Sequence, residues 1–567
     1  MKLIDLLNNC LFDSIKNAYS LDKADFQKLD LGFVASSSED HGDFSSSASL
    51  KLAKKLDSSP RDIAKKISDG MVSNLMGKIS IDGPGFINIY VTEAAKINEL
   101  KNVIELKEQW AFKKNSRKKA LVEFVSSNPT GPLHVGHGRG AVLGIAISNL
   151  LQSQGYQVDK EYYVNDAGRQ INILSLSIIL ETIDHSLSRD GLYQGGYIKE
   201  LAKKFMENEN FKQFTQPNIT LSEDVDEKLN ELIGFYQSES PKTWGELRAY
   251  AVGKMMEIIK TDLTNLGIVH DSWFYESSVG SFNDKNSVLF KAVKGIEKKN
   301  LTFKKDGAVW FKSTDFGDDK DRVLLRENGE PTYYLTDVGY HKDKIDRNYE
   351  HYINIFGADH HGYVKRITSA FDTLKNDGQS LEIILYQLVN LFENGKMKQM
   401  STRKGDFYTL EQLREEIGSD VIKFFFLEKK SDHTIDFDTL KAKEESKTNP
   451  FFYTQYAHVR CCSILQNKSP DLTCSYDEKE ITKNYNLLSK IINYPKQLEE
   501  FANERSPHSL VHFLKELAAD FHSFYETNPV LVDDATVANS RLIITKATQI
   551  VLQNGLELLS VKPLTKM

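Results

Sequence analysis

The chain has 567 residues, of which 40% are hydrophobic and 27% charged, and its net charge at pH 7 is −7. A chain of this length exceeds one hydrophobic core, so about three domains are expected. The composition is that of an ordinary globular protein, and the negative charge excludes a uniformly basic nucleic-acid binder, although it permits local basic surface.

The cysteine spacing and the absence of long apolar runs are typical of a protein from a reducing compartment. The four cysteines form no C-x-x-C pair, so we expect neither a disulfide framework nor a structural metal. The first twenty residues have helical spacing but no secretory apolar core, and no apolar run reaches 18 residues. We therefore expect a cytoplasmic enzyme without a signal peptide or a membrane span.

Residues 1–110 are predicted to form a small α/β domain. An amphipathic helix opens the chain, two short helices follow, the second beginning at Pro60, and a strand covers Phe86 to Val91. The basic stretch from Lys113 to Lys119 is either a linker or a solvated charge run.

From Ala120 the pattern changes to strand, glycine-rich turn, helix and strand, which predicts a βαβ unit and a parallel sheet. A helical insertion is expected at about residues 175–265, and short strands then resume. After about residue 440 the periodicity is that of a helical bundle. The predicted fold class is α/β, with a small α/β N-terminal domain, a parallel-sheet domain over residues 118–440 and an all-α bundle over residues 441–567.

The segment "SSNPTGPLHVGHGRGAVLG" marks the turn from the first strand of this unit into its helix. His134 and His137 are three residues apart at the predicted helix N-terminus, where free N–H groups and the helix dipole favour phosphate. Glycines allow a bulky anion to approach the backbone. From these residues alone, structural histidines, a metal pair and a generic glycine-rich nucleotide loop remain alternatives.

The motifs resemble one family in order along the chain. "HVGH" resembles the HIGH motif of class I aminoacyl-tRNA synthetases, and "VEFVSSNPTGPLHVGHGRGAVLG" resembles its arginyl-tRNA synthetase form. "GPGFINIYV" is similar to the N-terminal domain of that family, "YYVNDAGRQI" and "GADHHGYVKR" to its catalytic domain, "MSTRKG" to its KMSKS loop, and "NPFFYTQYAHVRCCSIL" to the entry of its anticodon-binding domain.

The resemblance implies an ATP-dependent arginine–tRNA ligase. Such an enzyme activates L-arginine with ATP, releases pyrophosphate and transfers arginine to the 3′-terminal adenosine of tRNA(Arg). The implied ligands are ATP with Mg²⁺ on its phosphates, L-arginine and tRNA(Arg), and the implied state is a monomer. Residues 1–110 would contact the outer corner of tRNA, residues 118–440 would form a Rossmann-type catalytic domain, and residues 441–567 would bind the anticodon.

The resemblance also implies the phosphate-binding residues. The KMSKS-like loop, residues 396–406, has Gln399 and Thr402 where the motif has lysines, and Gly131 occupies the position where some relatives have a compensating lysine. Arg403 and Lys404 are therefore the candidates for the pyrophosphate, with Lys398 in reserve. The implied catalytic residues are His134, His137, Arg403 and Lys404, and the implied ATP-binding residues are His134, Gly136, His137, Gly138, Met400, Ser401, Arg403 and Lys404.

The guanidinium of arginine is a planar, permanently charged fork that matches a carboxylate. The implied arginine-binding residues are Glu123, Ser127, Asn128, His134, Tyr333, Asp337 and His361. Without the resemblance, Glu123 would be a solvated strand-end carboxylate and Asp337 a helix N-cap. His360 and His361 in "GADHHG" would point to opposite faces of a strand, which disfavours a metal pair.

In the last domain the implied tRNA-binding residues are Phe452, Tyr453, Tyr456 and Arg460. The aromatic residues recur at helical spacing, which predicts that most of them lie in the core of the bundle. One or two exposed members would stack on unpaired bases. Two other functions remain open: another adenylate-forming or nucleotidyl-transferring enzyme on the same fold, and a catalytically silent RNA-binding relative. The set Glu123, Asn128, Tyr333 and Asp337 argues against the first, and intact His134, Gly136 and His137 argue against the second.

Overall fold

The computed structural model describes residues 2–36, 38–183, 188–207, 214–393, 395–397 and 408–567. The chain divides into two compact units. The first comprises Met1–Lys114, Ser153–Gly155 and Glu445–Met567, and the second comprises Asn115–Gln152 and Tyr156–Glu444. None of the helices in the described ranges combines the length and the apolar character that a bilayer crossing requires.

The N-terminal part of the first unit is a four-stranded antiparallel sheet with helices, in the strand order β1-β2-β4-β3. The second of the predicted short helices does begin at Pro60, where the Ser59 side chain caps the Asp62 amide, and the predicted strand is β4. The elements are α1 (Leu3–Tyr19), α2 (Lys23–Lys28), β1 (Val34–Ala35), β2 (Phe44–Ser46), α3 (Ala48–Leu56), α4 (Pro60–Gly70), β3 (Met76–Asp82), β4 (Phe86–Val91), α5 (Glu93–Leu106) and α6 (Glu108–Ala111).

The second unit contains both strands and helices. They are β5 (Lys119–Phe124), α7 (Val135–Ser153), β6 (Gln157–Val164), α8 (Arg169–Thr182), α9 (Gly196–Met206), α10 (Val225–Glu239), α11 (Pro241–Asn265), β7 (Ser272–Tyr275), α12 (Val288–Lys298), β8 (Thr302–Lys305), β9 (Ala308–Phe311), β10 (Arg322–Leu325), α13 (Tyr333–Asp346), β11 (His351–Gly357), α14 (Val364–Leu374), β12 (Ser380–Tyr386), β13 (Val389–Glu393), β14 (Lys396–Met397), α15 (Leu410–Ile417), α16 (Ser419–Leu427), β15 (Ile435–Asp438) and α17 (Thr439–Lys443).

A five-stranded parallel sheet in the order β12-β11-β5-β6-β7 forms the centre of this unit. The predicted βαβ unit is β5–α7–β6, and β5 lies in the middle of the sheet. Since the carboxyl ends of parallel strands meet at one edge, the loops that follow β5, β6, β7 and β11 converge there, which is the usual ligand edge of an open α/β sheet. Helices α8 to α11 lie in the predicted insertion and share a hydrophobic core of their own.

One local expectation was wrong. "GADHHG" does not extend the strand, because β11 ends at Gly357 and Ala358–Tyr363 form a 3₁₀ helix. The argument from opposite strand faces therefore does not apply to His360 and His361.

The C-terminal part of the first unit is helical, as predicted. Its helices are α18 (Pro450–Asn467), α19 (Glu478–Thr482), α20 (Tyr485–Asn503), α21 (Pro507–Thr527) and α22 (Ala535–Leu558). The apolar faces of α18, α20, α21 and α22 carry buried side chains such as Leu488, Leu514 and Leu552. The helices are therefore stabilised mainly by packing against one another.

Candidate active site

The chain turns sharply where β5 ends. Val125 and Ser126 have φ values of 72° and 41°, in the left-handed region that side chains rarely adopt. Strain of this kind is concentrated at functional sites. The turn directs the following residues, Ser127 and Asn128, toward the carboxyl edge of the sheet, where both border a cavity.

His134 and His137 stand at the start of α7 with their rings stacked, 3.6 Å between centroids. Nδ1 of His134 accepts a hydrogen bond from the backbone N–H of Gly136 at 3.1 Å. Nδ1 of His137 accepts one from the backbone N–H of His134 at 3.3 Å. Because Nδ1 accepts in both rings, the proton of each neutral imidazole must be on Nε2.

Burial lowers the pKa of both histidines. For His137 the burial acts together with the neighbouring His134 ring, and the pKa falls well below its ordinary value. Both rings are therefore neutral near pH 7. They can offer an Nε2–H donor to an anion, but they do not offer a positive charge.

The histidines border a cavity of about 660 Å³ at the carboxyl edge of the sheet. Its wall contains most of the predicted arginine-binding residues and three of the predicted ATP-binding residues. Those that line it are Glu123, Ser127, Asn128, His134, Gly136, His137, Tyr333 and Asp337.

Two predicted residues are not on this wall. Gly138 packs away from the cavity, where an added Cβ would lie 2.7 Å from Leu410. His361 is exposed, and its neighbour His360 lines the cavity instead. The predicted loop residues Lys398, Gln399, Met400, Ser401, Thr402, Arg403 and Lys404 lie outside the described residues.

Three side chains form an acidic part of the cavity wall. Asp337 and Glu276 both line it, and the Tyr163 hydroxyl donates to Glu276 at 2.7 Å. Burial, followed by the negative charges of Glu276 and Glu123, raises the pKa of Asp337 to about 7. Burial also raises the pKa of Glu276. Two carboxyls whose pKa values are raised in this way form a site that favours a positively charged ligand.

Glu123 is not the solvated strand-end carboxylate that its position in the sequence would indicate without the family resemblance. Its side chain is buried, and it forms an ion pair with Lys344, which is fully buried on α13. Its second oxygen accepts from the Ser126 hydroxyl at 2.9 Å. A carboxylate has about four acceptor positions, so Glu123 can still accept from a ligand in the cavity.

Sequence reasoning missed Glu276, Tyr163 and Lys344. The signal for Glu276 was available, since it directly follows a strand of the parallel sheet, as functional residues of such sheets often do. Lys344 had no such signal, because a lysine in an amphipathic helix normally points to solvent.

The aromatic residues of α18 lie in a different part of the molecule, within the first unit. Tyr456 is 37% exposed and borders a groove of about 370 Å³ with Arg460 and Tyr525. The Arg460 guanidinium lies between these two rings, 4.6 Å and 4.4 Å from their centroids. Phe452 and Tyr453 are half-buried, and the Tyr453 ring packs on His522.

The parallel sheet, the paired histidines and the cavity define a catalytic domain of the class I aminoacyl-tRNA synthetases. The family model "tRNA synthetases class I (R), catalytic domain" matches residues 99–448. Two more models match either side of it: the arginyl-tRNA synthetase N-terminal domain at residues 5–91 and the DALR anticodon-binding domain at residues 454–567.

Similar proteins identify the family within that class. The chain is 38% identical to an arginine–tRNA ligase of Nitrosospira multiformis over 571 residues, 98% of each chain. It is 38% identical to that of Legionella pneumophila over 550 residues, 92% of each. The solved Thermus thermophilus arginyl-tRNA synthetase shares the fold over the full length of both chains, with a TM-score of 0.79 and 20% identity. The chain belongs to the arginyl-tRNA synthetase family, whose members are ATP-dependent ligases.

Proposed function

We propose that this chain activates L-arginine with ATP and transfers it to the 3′-terminal adenosine of tRNA(Arg). The observation that carries the proposal is a single cavity with two neutral imidazole donors at a helix N-terminus and two carboxyls of raised pKa, Asp337 and Glu276. The first pair suits phosphate and the second suits a guanidinium.

In the first step the arginine carboxylate attacks the α-phosphorus of ATP, and pyrophosphate leaves. His134 and His137 donate Nε2–H hydrogen bonds to phosphate oxygens on which negative charge grows, with Gly136 leaving room for the nucleotide. Donors fixed in place before the reaction stabilise the transition state without reorganisation. Mg²⁺ accompanies ATP and is held mainly by the phosphates.

The amino acid lies across the cavity. Asp337 and Glu276 accept from its guanidinium, beside Tyr333. Glu123 and Asn128 accept from its α-amino group, next to Ser127. The two ends of arginine thus meet acceptors on different elements, which aligns the carboxylate with the α-phosphorus.

Other assignments rest on the family. Arg403 and Lys404, with Met400 and Ser401, bind the pyrophosphate from the loop of residues 396–406. Tyr456 and Arg460 of the helical domain, residues 441–567, contact unpaired tRNA bases, and residues 1–110 contact the tRNA outer corner. The enzyme works as a monomer in the cytoplasm.

The test is a charging assay on the Asp337→Asn variant. Removing one carboxylate from a desolvated charge pair typically costs 2–5 kcal/mol, so the KM for arginine should rise by roughly 10²-fold, while the KM for ATP stays unchanged. Asp346→Asn is the matched control, because this aspartate is on the same helix and pairs with Lys342 at the surface. An unchanged KM for arginine in Asp337→Asn would show that the guanidinium binds elsewhere.

A further inference from the structure

Three polar side chains form a buried row across the middle of the parallel sheet. Asn354 on β11 pairs in register with Glu123 on β5, which pairs in turn with Glu161 on β6. Their exposures are 0%, 3% and 1%. Burying polar groups is unfavourable unless each has a partner, so the partners of this row indicate what it does.

Helix α13 supplies those partners. The Lys344 ammonium donates to the carboxylate of Glu123 and, at 2.8 Å, to the amide oxygen of Asn354. It also lies 4.4 Å from the centre of the Tyr340 ring. Since lysine can only donate, Asn354 must turn its oxygen toward Lys344 and its NH₂ group the other way.

The NH₂ group of Asn354 reaches His341 on the same helix. It donates to Nε2 of His341 at 3.0 Å, and Nδ1 of that ring is 2.8 Å from the backbone carbonyl of Asp337. Because Nε2 accepts, Nδ1 carries the proton and donates to the carbonyl. Burial lowers the pKa of His341 to about 3, so the ring is neutral and this arrangement persists.

A continuous chain of hydrogen bonds therefore runs from Glu123 through Lys344, Asn354 and His341 to Asp337. We infer that this bridge, defined as Lys344, Asn354 and His341, fixes the distance between the α-amino site and the guanidinium site, so that the enzyme selects its amino acid by length. The inference rests on the roles proposed above for Glu123 and Asp337. Lys344 and Asn354 act as positioning residues, since neither lines the cavity, whereas His341 also borders it.

The physical argument concerns rigidity. A pocket separates substrates that differ by one methylene by only about 10–200-fold, and it does so only if its two ends hold their separation. Glu123 is fixed in the sheet, but Asp337 is on a helix, whose position relative to the sheet depends on side-chain contacts. The bridge attaches α13 to the sheet beside Glu123, and it therefore fixes the position of Asp337 relative to Glu123.

Asn354→Leu tests the inference, since this side chain does not line the cavity and can act only through its neighbours. The kcat/KM for tRNA charging is measured with L-arginine, with L-homoarginine and with the homologue one methylene shorter. The preference for arginine over both homologues should fall by about tenfold or more, within the range that a single methylene can provide. The KM for ATP should not change.

Gln379→Leu is the matched control. Gln379 is also buried, and its amide donates to the carbonyls of Ile345 and Tyr349 and to the Tyr352 hydroxyl, near the end of α13 and outside the cavity. If loosening of the helix in general were responsible, this variant would lose the preference too. We expect it to keep the preference.

A second break in the bridge gives an independent measurement. His341→Phe should lower the preference as Asn354→Leu does, but His341 also lines the cavity, so the double variant separates the two effects. It should lose no more than either single variant, because one bridge is broken only once, whereas additive losses would mean that His341 acts on the ligand directly and would contradict its place in the bridge. If thermal unfolding shows that Asn354→Leu is not folded, Asn354→Ser replaces it, since the serine hydroxyl is too short to reach His341, and the same loss is expected.

Two results would overturn the inference. The first is an unchanged preference in Asn354→Leu or its serine substitute, and the second is an equal loss in Gln379→Leu. Failure of the underlying site assignment has a separate signature, namely an unchanged KM for arginine in Asp337→Asn. If Asp337→Asn raises that KM and Asn354→Leu leaves the preference intact, the arginine site stands and the bridge does not set its length.

Discussion

At the scale of single residues, the protonation state of the two histidines determines what they can do. Both Nδ1 atoms accept backbone hydrogen bonds and both pKa values are lowered. His134 and His137 are therefore directional donors, and their contribution should not change between pH 7 and pH 9. A glycine-rich turn at a helix N-terminus adds N–H groups to the same anion site.

His137→Ala removes one such donor and should lower kcat by roughly 10²–10³-fold, the usual effect of losing a transition-state donor. His137→Gln retains an N–H near the Nε2 position and should keep more of the activity than the alanine variant. Both are measured by tRNA charging, with thermal unfolding to verify the fold. Activity near that of the unmodified enzyme in His137→Ala would contradict the phosphate role.

The raised pKa of Asp337 predicts a pH dependence of arginine binding. Its carboxyl titrates at about 7 in the empty cavity, and a guanidinium needs the ionised form. Below this pH, binding must expel a proton, so the KM for arginine should rise about tenfold for each pH unit, and it should be flat above the pKa.

This pH dependence is checked by initial-rate charging at several pH values and by proton release on arginine binding. Asp337→Asn should abolish the slope. A KM that does not change between pH 6 and pH 8 in the unmodified enzyme would mean that Asp337 is already ionised without its ligand.

At the scale of elements, the central feature is the close approach of α7 to β5. An added Cβ at Gly144 would lie 2.1 Å from the Phe124 ring, closer than real contacts allow. Glycine therefore sets the distance between the first crossover helix and the central strand, and this distance places the histidines of α7 beside the turn that follows β5.

Gly144→Ala should destabilise the protein by about 1–3 kcal/mol, the usual cost of overpacking a core. Gly253→Ala on α11 provides a contrast, since nothing lies within 4 Å of its added Cβ, and alanine there should stabilise the helix by about 0.5–1 kcal/mol. Denaturant unfolding measures both. Equal stability of the two variants would disprove the close approach.

Buried Arg139 is a second link between elements. It donates from α7 to the backbone carbonyls of Gln387 and Lys430, at 2.7 Å and 3.0 Å, and burial lowers its pKa to about 10. Hydrogen bonds to a charged donor are the stronger kind, so this guanidinium attaches the histidine helix to the segment between β12 and β13, where Tyr386 and Leu388 line the cavity.

At the scale of the whole molecule, the two candidate sites lie in different compact units. The cavity lies in the second unit, and the exposed tyrosine groove of α18 lies in the first. A change in the groove should therefore affect tRNA binding without affecting the small substrates.

Tyr456→Ala should raise the KM for tRNA by about 5–150-fold, because stacking of one base on an aromatic ring contributes about 1–3 kcal/mol. The KM values for arginine and ATP at saturating tRNA should not change. Phe451→Leu is the control, since this residue is buried in the bundle and does not line the groove. If Tyr456→Ala left the KM for tRNA unchanged, the tRNA bases would have to bind elsewhere.

The sequence by itself determined the order of elements and the position of the two histidines at the candidate site. The turn from β5 into α7, the parallel crossover and the helical C-terminal segments follow from local periodicity and from glycine and proline positions, because these signals involve neighbouring residues. His134 and His137 were found in the same way.

Only the tertiary structure decided which distant side chains meet. Lys344 and Asn354 come from separate elements, and nothing in their local sequence shows that they meet beside Glu123. Likewise, His360 rather than His361 lines the cavity, and both belong to a 3₁₀ helix that follows the end of β11 at Gly357. Local patterns set the backbone, but burial and charge pairing depend on contacts between residues far apart in the chain, and those exist only once the sheet and α13 have packed together.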